Sequence, residues 1–121
     1  MTEVLRSPDC GNSPKNLAAQ EIALALMGVG TLPEDALVEA VAWDVPGGAV
    51  TGRAAVLARA AAQSADVIAV DQVVTHGRGG SVSGRITRGG DTRLFCHLIR
   101  FTSAAARDIA QLVSFEHPGG A

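Results

Sequence analysis

The stretch DVIAVDQVVTHGRGGSVSGRITRGGDTRLFCHLIRFT, residues 66–102, decides the fold. Apolar and polar residues alternate along it, and valine, isoleucine and threonine are frequent. That is the signature of β-strands, whose side chains alternate between faces. Two glycine clusters interrupt it, GRGG at 77–80 and RGGD at 88–91. Each supplies the turn chemistry of a hairpin. The pattern resumes after SAAARD as IAQLVSFEH, residues 109–117. Four long strands at hairpin spacing predict a curved antiparallel meander.

Upstream of the meander the period lengthens. Ser13 is a good helix N-cap, and Pro14 stands where a first helical turn tolerates proline. The helix expected there carries Leu17, Ala18, Ile22, Ala25, Leu26 and Val29, and it is apolar nearly all round in its later turns, the mark of a buried helix. Thr31–Glu34 reads T-L-P-E, a capping-box pattern that predicts a second short helix through about Ala40. VAWDV, residues 41–45, is strand-like, PGGAVTG is expected as a loop, and a third, alanine-rich helix is expected from Thr51 or Gly52 to about Ser64. Three N-terminal helices and a strand ahead of a bent antiparallel sheet make an α+β cone. The expected boundaries are an N-terminal extension over 1–12 with a loose start over 1–8, one domain over 13–117 and a disordered tail over 118–121.

Composition limits the function classes. The chain has 121 residues and a formal net charge of −2, enough for one domain with a real core. Its nine arginines and one lysine form no basic stripe, so nucleic acid is not an expected partner. The longest apolar run, 22–32, is too short to span a bilayer. No signal-peptide pattern opens the chain, and two cysteines, Cys10 and Cys96, do not make a disulfide framework. A cytoplasmic protein with reduced thiols and no membrane partner is the expectation. His76, His97 and His117 lack metal-ligand spacing, so no metal is expected, and no cofactor motif stands out.

The order of elements resembles the nuclear transport factor 2-like, or SnoaL-like, superfamily over about residues 13–117. VAWDVPGGAVTGRAAVLA (41–58) is similar to its first strand, loop and third helix, and LFCHLIRFTSAAARDIAQLVSFEH (94–117) to its last hairpin. DCGNSPKN (9–16) and THGRGGSVSG (75–84) resemble an uncharacterised bacterial subgroup. Within the superfamily, the resemblance to ketosteroid isomerase implies a general base at Asp44 and an oxyanion donor at His97. That isomerase also uses a tyrosine hydroxyl, and this chain has no tyrosine.

The strand 93–101 is apolar on both faces, which implies that one face packs under helices and the other meets a second subunit. The hairpin resemblance puts His97 inside and Cys96 outside, and implies a homodimer through the convex sheet face. Two functional readings follow. In the first, an isomerase-, lyase- or hydrolase-like enzyme binds a small apolar or mixed-polarity organic ligand. Asp44 takes a proton, His97 donates to the developing negative oxygen, and Trp43, Asp71, Phe95, Ile99 and Phe101 line the cavity. In the second, the same cavity or the outer sheet face serves a non-catalytic binding or interaction module. Asp44 is as readily a turn aspartate ahead of Pro46, and His97 as readily a satisfied core histidine. His76 reads as a turn-end residue. Cys10, ahead of a helix N-terminus, is either a thiolate favoured by the helix dipole or a small buried residue plugging one end of the cone.

Overall fold

The glycine-punctuated hairpins form as the sequence predicts. The computed structural model describes residues 1–105 and 107–118. In it β4 (Val67–His76), β5 (Gly79–Arg88), β6 (Asp91–Phe101) and β7 (Ile109–Pro118) make a continuous antiparallel meander. Upstream lie β1 (Glu3–Leu5), α1 (Pro14–Leu26), β2 (Leu37–Val45), β3 (Gly48–Thr51) and α2 (Arg53–Ala61). All seven strands join one sheet in the order β1-β4-β5-β6-β7-β2-β3. Pro118 ends β7, and the rest of the expected tail lies outside the described residues.

The sheet bends where its ladder breaks. The β4–β5 register shifts between Val70 and Gln72, and Gly84 pairs with Val70 beside that bulge. A Cβ at Gly84 would land on the Ala69 carbonyl oxygen, so only glycine lets the strands approach there. A second shift, between Arg100 and Phe101, bends β6 against β7. The concave face so formed holds the core: Ile68, Val82, Ile86, Phe95, Ile99, Phe101, Ile109 and Leu112 are buried under the helices.

Helix α1 starts as expected, with the Ser13 hydroxyl accepting the Asn16 N–H at 3.2 Å. It buries Ala19, Ile22, Ala23, Leu24, Ala25 and Leu26, nearly its whole second half. At its end Gly28 adopts φ +96°, and a Cβ there would strike the Gln63 carbonyl just past α2. Glycine therefore allows the two helix ends to touch.

Among the described residues there are two α-helices, not three. Glu34–Ala36 makes a single 3-10 turn, and Pro33 offers it no side-chain cap. From Leu37 the chain is strand, burying Leu37, Val41 and Trp43 on alternate or near-alternate positions. Parallel pairing with β7 outweighs the local capping pattern. The expected loop PGGAVTG closes into a hairpin, β3 pairing with β2. The N-terminal extension is not loose either: β1 pairs in parallel with β4, and covers an edge that would otherwise be open.

Candidate functional site

Three strands bring a polar chain onto the otherwise apolar concave face. His97 on β6 stands directly opposite Ser114 on β7, and Trp43 on β2 reaches the same serine. The Trp43 indole Nε1–H donates to Ser114 Oγ at 2.7 Å. Ser114 Oγ lies 2.6 Å from His97 Nδ1. All three side chains are buried, His97 to 3 % exposure. The Phe95 ring packs on the imidazole at 5.3 Å between centroids.

The hydroxyl proton assigns the tautomer. An indole N–H can only donate, so Ser114 Oγ accepts from Trp43. Among the described residues the acceptor the Ser114 hydroxyl reaches is His97 Nδ1. With the hydroxyl donating to it, Nδ1 is bare and Nε2 carries the ring proton. Nε2 is buried with no partner among the described residues. Burial pushes the imidazole pKa down to about 4, opposed by the nearby Glu116 carboxylate and reinforced by Arg88. The ring is neutral at pH 7, a hydrogen-bond donor without a charge.

The inner face grows more polar toward one end. On β7 it runs Leu112, Ser114, Glu116; on β5 it runs Ile86, Arg88. The Arg88 guanidinium grips Glu116 with both Nη atoms, at 2.9 and 3.1 Å. Beside this pair lies a pocket of about 50 Å³, bordered also by Trp43, His97, Ser114, Pro46 and, from α2 and its end, Arg59 and Gln63. At roughly 10–15 Å³ per water-sized occupant, it has room for about four non-hydrogen atoms. A larger cleft of about 290 Å³ opens between α1, α2 and the segment 30–34. Glu34 is the one ionisable side chain on its wall.

The expected site residues separate sharply. His97 and Trp43 border the pocket. Phe95, Ile99 and Phe101 are core residues that do not line it, although Phe95 supports the His97 ring. Asp44 is corrected: alternation on β2 turns Trp43 inward and Asp44 outward, where it is exposed and accepts from Gln111 at 3.4 Å. It cannot reach a ligand held beside His97. Asp71 is corrected as well. It sits exposed at the β4 bulge and pairs with Arg85 at 3.2 Å. Ser114, Arg88, Arg59 and Gln63 were not expected. The period-two run Leu112-Ser114-Glu116 is the signal that points to the first of them.

The segment DCGNSPKN is a clasp rather than a reactive site. The Asp9 carboxylate accepts the Val73 N–H at 3.0 Å, and the Asn16 amide donates to the Asp9 carbonyl at 2.9 Å. Together they close the β4 edge beyond the reach of β1. Desolvation, then Asp9 and Glu21, push the Cys10 thiol above its usual pKa, which favours the protonated thiol over the thiolate. Cys96 lies opposite Phe115, and both thiols are free. His76 and His117 are exposed. Among the described residues no three His, Cys, Asp or Glu side chains converge as a metal site.

No protein-family model matches the chain, and no curated protein matches it. Solved structures do. A candidate ketosteroid isomerase from Kribbella flavida DSM 17836 superposes with a TM-score of 0.69 at 17 % identity, covering 88 % of this chain and 80 % of its own. An NTF2-like protein of unknown function from Burkholderia xenovorans LB400 gives 0.63 at 13 % identity, over 73 % and 70 %. The fold is NTF2-like. A de novo designed protein with a curved β-sheet matches equally well, with a TM-score of 0.63 at 17 % identity over 84 % and 85 %. These likenesses show the fold, and activity has to be argued from the site.

Proposed function

We propose that this NTF2-like chain binds a small organic molecule at the polar end of its cone, through a neutral His97 that donates from Nε2. The observation that carries this reading is the buried chain Trp43–Ser114–His97, which ends on an unpartnered nitrogen beside a pocket. A buried donor without a partner costs about 1–3 kcal/mol. A ligand oxygen accepting there recovers that cost. The isomerase-like reading keeps its donor and loses its base. Asp44 faces away, and both oxygens of Glu116 are held by Arg88. Binding is therefore favoured over proton-transfer catalysis, with the fold likeness to a candidate ketosteroid isomerase as support for the enzymatic alternative.

The outer sheet face supports a homodimer. Val74, Leu94, Leu98 and Phe115 are large, exposed and apolar, and the pairings Val74–Ser81–Leu98 and Cys96–Phe115 put them on one face. No helix among the described residues is long and apolar enough to cross a membrane. Two free thiols fit a reducing, cytoplasmic setting.

A fragment screen read by amide and side-chain NMR tests the binding site. Hits are expected to shift Trp43, Ser114 and His97 together. Hits that cluster at Leu32, Leu57 and Ala61 in the larger cleft, leaving His97 unmoved, overturn the reading.

A further inference from the structure

We propose that the group this pocket takes is a carboxylate, bound with one oxygen accepting from His97 Nε2–H and its charge facing Arg59. The proposal rests on the binding reading above and adds the chemical class of the ligand.

Three observations carry it. The first is polarity. Two donor-bearing side chains, His97 and the Arg59 guanidinium, are on the pocket wall, and the Glu116 oxygens already accept from Arg88. A ligand group rich in acceptors matches that wall, and a carboxylate is acceptor-only. The second is charge. Arg88 and Glu116 cancel in their bidentate pair, and Arg59 has no ion-pair partner among the described residues. With His97 neutral, the lining carries one uncompensated positive charge, which disfavours a cation and favours an anion. The third is size. About 50 Å³ accepts roughly four non-hydrogen atoms, the size of an acetate group. Phosphate and sulfate carry more charge than one free guanidinium balances. The carboxylate comes either from a free short acid or from the end of a longer acid whose chain leaves past Pro46 and Met27, both on the pocket wall.

The test follows the His97 imidazole nitrogens by NMR in the full chain during titration with acetate, hexanoate, acetamide and propylamine. Acetate is expected to shift Nε2 with a dissociation constant on the order of a millimolar, within what four atoms can supply. Acetamide and propylamine are expected to bind at least about threefold more weakly. Arg59→Gln, on an exposed helix position, is expected to weaken acetate about threefold, the scale of one partly exposed charge pair. Tighter binding of hexanoate than acetate assigns the site to the end of a longer acid, and the reverse assigns it to a free short acid. If acetamide or propylamine shifts His97 as strongly as acetate, the carboxylate assignment is wrong and the binding site stands. If none of the four moves His97, both are wrong.

Discussion

Ser114 Oγ lies 2.6 Å from His97 Nδ1, across the β6–β7 ladder, and at 2.7 Å it also receives the indole N–H of Trp43. One hydroxyl thereby satisfies two buried rings and leaves the second imidazole nitrogen as the donor. Removing it is costly. Ser114→Ala strands the Trp43 N–H and His97 Nδ1 without partners and is expected to destabilise the fold by about 2–4 kcal/mol, counted as one to two unsatisfied buried groups. Trp43→Phe leaves the serine bonded to His97 and is expected to cost less. Urea unfolding of the two variants checks the order.

Stability should depend on pH through His97. Its folded pKa of about 4 lies below the ordinary 6.5, so the unfolded chain binds the proton first as pH falls. The full contribution is present above pH 6.5. It is lost progressively down to about pH 4, amounting to about 3 kcal/mol for a fully buried ring. His97→Gln is expected to flatten that part of the profile, measured as unfolding free energy against pH. An equal slope in the variant would assign the acid sensitivity to other groups.

Asp44→Asn is expected to change stability by less than about 0.5 kcal/mol, as for other exposed sites, and to leave ligand shifts at His97 unaltered. A loss of binding or turnover in this variant would restore Asp44 to the site, contrary to its outward placement.

The outer face predicts its own variant. Phe115→Glu puts a charge in the middle of the exposed apolar face and is expected to convert a dimer to a monomer in analytical ultracentrifugation. A wild-type protein that sediments as a monomer contradicts the sheet-face dimer directly.

The meander was legible because two of its turns are written in glycine and its strands are runs rich in β-branched residues. The helix starts at Ser13 and Gly52 were legible for the same kind of local reason. The segment 31–40 was not, since its proline and acidic residues cap a single turn locally, and only pairing with β7, far along the chain, makes it strand. The site depends on such distant meetings. Trp43 and Ser114 are 71 positions apart, and no local pattern announces their hydrogen bond. His97 was readable as inward only through the resemblance of its hairpin, since its strand is apolar on both faces. Asp44 was put forward by the resemblance to ketosteroid isomerase beside its reading as a turn aspartate, and burial of the Trp43 indole decides which of the two neighbours turns in.

The most direct measurement is the protonation of the His97 ring, by long-range nitrogen–proton correlation NMR on the ligand-free protein at neutral pH. The account predicts one ring proton, on Nε2, with Nδ1 bare. A proton on Nδ1, or an imidazolium protonated at both nitrogens, would contradict the donor role of Nε2, and the binding site built on it would have to be abandoned.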